Sequence, residues 1–171
     1  LEKGKEIGQL SSKSLRVSLT LRVPHAIRAS VKIWQGAILV RSIDRGLSLE
    51  AHHGDIEVQE CRGDIRTRSI QGDQRYRDID GNVQADGVRG ELILVGIRGK
   101  RLWAQVHKGK IVASRISVND VTLATFHGDV SFEGTVLGNG KYALHSYRGS
   151  VEVRLAGKVA LAGNLHVDGR S

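Results

Sequence analysis

Gly54-Asp55-Ile56, Gly63-Asp64-Ile65, Gly72-Asp73, Gly81-Asn82-Val83, Gly90-Glu91-Leu92 and Gly99 follow one another at steps of nine residues. A fixed period of this kind marks a repeat architecture. Each unit is too small to bury its own apolar face, and stacking on its neighbours completes the burial.

Extended in both directions, the run resolves into two interleaved series. One is Gly36, Gly54, Gly72, Gly90, Gly109, Gly128 and Gly149, spaced 18, 18, 18, 19, 19 and 21. The other is Gly46, Gly63, Gly81, Gly99, Asn119 and then Gly138 or Gly140. Asparagine is the commonest substitute for glycine in left-handed backbone, so Asn119 keeps the rule. Two and four residues after the glycines stand apolar side chains: Ile38 and Val40, Ile56 and Val58, Val83 and Ala85, Leu92 and Leu94, Ile111 and Ala113, Val121 and Leu123, Val130 and Phe132, Val151 and Val153. Two residues before them stand Trp34, Cys61, Ile70, Ile79, Val88, Ile97, Phe126 and Tyr147, which this reading assigns to the same inward face. The intervening positions are mostly polar. Each unit therefore reads as a short strand with one apolar face, closed by a glycine turn.

Two units make one coil. The pattern predicts an all-β, single-domain β-solenoid (β-helix-like) of about seven coils of 18–21 residues, with two short strands per coil. Residues 1–14 are polar and patternless and read as a flexible arm, 15–168 as the repeat domain, and 169–171 as a tail. Leu15 to Val23 alternates as a half-buried strand ended by Pro24, and Ala26 to Trp34 follows as a second. Three places strain the pattern. Gln74 stands where an apolar residue is expected, with Tyr76 restoring the face. The Gly99 unit is one residue long, and a bulge there turns Leu102 and Ala104 inward and Trp103 outward. Gly134 and Gly138-Asn139-Gly140 suggest a longer loop. The shortened period from Gly157 onward predicts irregular capping strands.

Aromatics make up 4% of the chain, so the core must be aliphatic, and the net charge of +8 allows attraction to polyanions, with a solvated basic surface as the plainer reading. The single cysteine, Cys61, permits no intrachain disulfide. No apolar run approaches the ~20 residues of a membrane-spanning helix. A start at Leu1 and the absence of methionine are expected of a processed or trimmed segment.

Val23-Pro24 followed by Gly36-Ala37-Ile38-Leu39-Val40, and then by repeated Gly-Asp-aliphatic units, resembles the bacterial adhesin-type domain family of β-strand repeats, DUF4097, over about residues 15 to 168. The resemblance implies a β-solenoid-like fold and a cell-envelope or extracytoplasmic setting. It carries over no catalytic residue. This chain is more basic and richer in His and Arg than common members. The polymerising bactofilin type of β-solenoid is the nearest structural rival.

For chemistry, the turn aspartates Asp55, Asp64, Asp73, Asp120 and Asp129 invite comparison with calcium-binding nonapeptides. Those need Gly-Gly-x-Gly-x-Asp, and here each turn offers one glycine and one carboxylate, so the aspartates read as turn caps. No His-x-x-x-His or Cys-x-x-Cys spacing supports a metal, and no cofactor is expected. Cys61 reads as a small core hydrophobe. Carboxylates are scattered rather than paired, so no enzyme activity is expected.

The residues just before the first glycine series are His53, Gln71, Arg89, Lys108, His127 and Arg148. In-register stacking puts them in one basic column able to bind an extended anion. Nucleic acid is disfavoured, because the aromatics are assigned inward and leave nothing for bases to stack on. The expected function is a non-catalytic structural or interaction module presenting a repetitive surface to an acidic polymer or a protein partner. The alternative is a self-assembling scaffold joined through its terminal coils. A solenoid polysaccharide-processing enzyme ranks below both. The structural turn glycines are Gly36, Gly54, Gly63, Gly72, Gly81, Gly90, Gly99, Gly109, Gly128 and Gly149.

Overall fold

The computed structural model describes residues 27–137, 139–155 and 164–169. The expected arm, the Leu15–Val23 strand, the capping segment from Gly157 to Gly163 and the last two residues lie outside them.

The strands are β1 (Ala29–Gln35), β2 (Ile38–Arg41), β3 (Leu47–His53), β4 (Ile56–Gln59), β5 (Ile65–Gln71), β6 (Gln74–Asp80) and β7 (Val83–Arg89). They continue as β8 (Leu92–Lys108), β9 (Ile111–His127), β10 (Val130–Gly134), β11 (Lys141–Arg148), β12 (Val151–Leu155) and β13 (Asn164–Gly169). Every pairing is parallel and joins one coil to the next. One face runs β1, β3, β5, β7, the second half of β8, the second half of β9, β11 and β13. The other runs β2, β4, β6, the first half of β8, the first half of β9, β10 and β12. The chain is a β-solenoid of about seven coils.

The core is the aliphatic column that the period predicts. In the coil that begins at Gly54, Ile56, Val58, Cys61, Ile65, Thr67 and Ser69 all point inward and are buried. Burial pushes the Cys61 thiol above its ordinary value, as befits a small core side chain. Gln74 and Tyr76 are both buried rather than one replacing the other. Thr67 donates to Gln74 Oε1 at 2.8 Å, Tyr76 donates to the same oxygen at 2.7 Å, and Gln74 Nε2 donates to the Asp86 carbonyl at 2.8 Å. A buried amide is tolerated because its hydrogen bonds are met inside. In the long Gly99 unit, Leu102 and Ala104 are fully buried and Trp103 is half-exposed. The longer loop falls between β10 and β11, where the Tyr142 hydroxyl accepts from Leu137 N at 2.9 Å and donates to Val118 O at 2.8 Å.

The first glycine series is needed for two reasons. Gly72 and Gly90 have φ of 140° and 133°. Stacking adds a stronger demand, since a Cβ on Gly90 would overlap the carbonyl oxygen of Gly72 and come within 2.6 Å of its carbonyl carbon. In the second series, left-handed backbone is not what holds Gly99 or Asn119. Both lie within continuous strands, β8 and β9, because the extra residue in these 19-residue coils lets the chain round the corner while extended. Further left-handed bends fall at Ser42, Glu60, Asp78, Gly96 and Arg115, six residues after the first five glycines of the first series, while Gly46 and Gly63 of the second series keep φ of 110° and 85°. This additional bend gives each coil a short third side carrying Ile43, Cys61, Ile79, Ile97 and Ile116 inward. Gly96 leaves room for the Asp78 carboxylate, which lies 3.8 Å from Arg115 Nη2 across the coil between them.

Candidate functional site

The corner just before the first glycine series is built by backbone hydrogen bonds that carry the sheet around the turn. Gly36 N donates to His53 O (2.9 Å), Gly54 N to Gln71 O (2.8 Å) and Gly72 N to Arg89 O (3.0 Å). Gly90 N donates to Lys108 O (3.2 Å), Gly109 N to His127 O (2.9 Å) and Gly128 N to Arg148 O (2.9 Å). Each residue of the predicted column is thus pinned through its own carbonyl. The register is unbroken: Gln35 beside His53, then Gln71, Arg89, Lys108, His127 and Arg148. Arg89, Lys108, His127 and Arg148 are consecutive, whereas His53 stands one coil apart behind Gln71. Among the described residues, no ion pair engages Arg89, Lys108 or Arg148. Partial loss of solvent, and then the charges of Arg148, Lys108 and His107, hold the His127 imidazole below its ordinary value.

The neighbouring column overturns an expectation. Trp34, Ile70, Val88, Phe126 and Tyr147 do not face the core. They project outward, with Trp34 69%, Phe126 41% and Tyr147 51% exposed. Cys61, Ile79 and Ile97 of the other series are buried as expected. The two kinds of unit look alike in sequence but differ in phase, because the left-handed bend at Glu60 and its equivalents shifts the alternation. On the β3 face the inward position falls three residues before the glycine, at Ala51, Ser69, Val106, Thr125 and Ser146. Adjacent strand residues point to opposite sides, so the next residue must point out. Those inward residues, with Gly87 in the same column, are mostly small, and that was the available signal.

The outward column is Trp34, His52, Ile70, Val88, His107, Phe126 and Tyr147, and it includes two histidines that the sequence reading left out. Its rings stack along the solenoid. Trp34 and His52 have centroids 4.3 Å apart, His107 and Phe126 5.0 Å, and Phe126 and Tyr147 4.6 Å. The last two pairs are within 9° of parallel. His127 meets Phe126 edge-on at 4.8 Å, which ties the aromatic column to the basic one.

Just beyond the first-series glycines stand Asp55, Asp73, Glu91, Lys110 and Asp129, and the three aspartates are occupied. Asp55 Oδ1 accepts from Asp73 N (2.9 Å), and Asp73 Oδ1 accepts from Glu91 N (2.9 Å). Asp129 Oδ1 accepts from Ser150 N (2.9 Å) and Ser150 Oγ (2.7 Å), which holds its carboxyl below the ordinary range. Asp64 Oδ1 accepts from Asn82 Nδ2 at 2.8 Å. These aspartates cap the next coil rather than their own turn. Among the described residues, no group of three or more His, Cys, Asp or Glu side chains is placed to hold a metal ion.

No family model matches this chain, and no curated protein or solved structure matches it. The functional reading therefore rests on the corner itself, where cations without carboxylate partners run beside a stacked aromatic stripe.

Proposed function

We propose that the chain is a non-catalytic interaction module that binds an extended polyanion along the corner from Arg89 to Arg148. The observation that carries this reading is the uninterrupted register of Arg89, Lys108, His127 and Arg148, with no carboxylate among the described residues paired to the three permanent cations. Like charges held one interstrand spacing apart, about 4.8 Å, repel one another. A linear anion relieves that repulsion at every step, with a strength that falls as salt rises. The adhesin-type resemblance adds a bacterial cell-envelope setting to the proposal.

The test replaces Arg89, Lys108 and Arg148 together by Ser and measures binding to a heparin-like polymer across a salt series. The variant is expected to melt at the wild-type temperature and to lose most of the salt-sensitive affinity. Wild-type protein that shows no salt-sensitive binding overturns the reading. Light scattering across protein concentration tests the scaffold alternative, for which filaments are the expected outcome.

A further inference from the structure

We propose that the polymer is an acidic polysaccharide with a carboxylate on each sugar of an extended chain, laid lengthwise over the basic and aromatic columns. This rests on the polyanion reading above and gives it a chemical class.

Parallel pairing fixes the advance per coil at about 4.7–4.9 Å, and a pyranose in an extended chain advances by about the same length. A uronate chain can therefore bring a carboxylate near each successive coil, where the long Arg and Lys side chains take up sideways offsets. The sugar–phosphate step of an extended single-stranded nucleic acid is longer, so its phosphates drift out of register with the coils.

His107 stacks on Phe126 and Phe126 on Tyr147, each pair within 9° of parallel, so Phe126 is covered on both faces and each end ring on one, which leaves few of the open faces that a nucleobase needs. Single-strand binders rely on open aromatic faces. This column instead presents ring edges, the positive side of the aromatic quadrupole, which attract carboxylate oxygens. Toward the first coils the same stripe continues through the exposed aliphatic side chains of Val88 and Ile70.

A uronate chain is amphipathic, with apolar ring C–H on one side and carboxylates beside it. The corner is amphipathic in the same sense. Beyond the glycines the turn carboxylates Asp73 and Asp129 are tied to amides of the next coil and bound the track on that side.

The experiment titrates the chain at low salt with polygalacturonate, with its neutral methyl ester, and with an oligothymidylate of equal charge. Polygalacturonate is expected to bind roughly tenfold tighter than the oligothymidylate, and the methyl ester not at all. Tyr147→Ser, at the exposed end of the ring stack, should weaken uronate binding several-fold and leave oligothymidylate binding unchanged. Oligothymidylate binding as tight as polygalacturonate, or equal binding of ester and acid, overturns the uronate assignment. Oligothymidylate binding alone leaves the polyanion reading standing. Failure of both charged polymers to bind overturns the two proposals together.

Discussion

Phe126 and Tyr147, in successive coils, stack on the outside of the solenoid with centroids 4.6 Å apart and planes within 9°. Their exposure separates two readings of the same residue. An inward Phe cut back to Ala costs about 3–5 kcal/mol through the cavity it leaves. An outward Phe that contributes ring stacking costs about 1 kcal/mol. Chemical denaturation of Phe126→Ala is expected to give the smaller loss while polyanion binding weakens. A loss near the upper range would return Phe126 to the core.

Gly36 and Gly90 share a positive φ but not a neighbour. Among the described residues, nothing lies within 4 Å of a Cβ built on Gly36, whereas one on Gly90 would overlap the Gly72 carbonyl oxygen. Gly36→Ala should therefore cost only backbone strain, about 1–3 kcal/mol. Gly90→Ala must also push two coils apart, and its loss should exceed that of Gly36→Ala by a margin visible in the melting midpoint. Equal midpoints for the two variants would show that φ alone selects the glycines.

The period, the parallel stack and the basic register were legible because each depends only on spacing. The nine-step run sets the coil, and the coil sets which residues are neighbours. Phase was harder. Ile70 and Ile79 both stand two residues before a glycine, yet Ile70 is exposed and Ile79 is buried. What separates them is the left-handed bend at Asp78, whose equivalents in other coils are Ser42, Glu60, Gly96 and Arg115, so no common residue type marks it. Asp55 and Asp73 read in sequence as caps of their own turns. That each caps the next coil was hidden, because sequence distance conceals a partner one turn away.

Thr67, Gln74 and Tyr76 form a closed hydrogen-bonded group in the core, with Thr67 Oγ1 also against the Tyr76 hydroxyl. Tyr76→Phe removes a donor from Gln74 Oε1 and should cost about 1–3 kcal/mol. Burial pushes the Tyr76 phenol well above its ordinary value. The sign follows from that direction. The unfolded chain releases this proton near pH 10 while the folded chain keeps it, so the contribution is complete below that pH and declines as pH rises further. Wild-type stability should therefore fall more steeply above about pH 10 than that of Tyr76→Phe. Parallel alkaline profiles would show that the phenol is not shielded.

His127 lies between Lys108 and Arg148 in the column, with His107 and Phe126 beside it and Asp129 across the turn. Desolvation and the neighbouring cations lower its pKa below the ordinary 6.5, so the free protein holds it neutral at pH 7. A bound anion offsets those cations and favours the imidazolium, so binding takes up a proton and affinity rises as pH falls below about 6.5. Asp129 does not oppose this, because the Ser150 amide and hydroxyl keep its carboxyl ionised through that window. A sulfated polysaccharide holds its own charge constant there, so the protein alone supplies the change. Wild type should bind it several-fold tighter at pH 5.5 than at pH 7.5. Calorimetry in buffers of different ionisation enthalpy should show net proton uptake that shrinks in His127→Gln. Equal uptake by variant and wild type would place the titration elsewhere on the surface and remove His127 from the binding track.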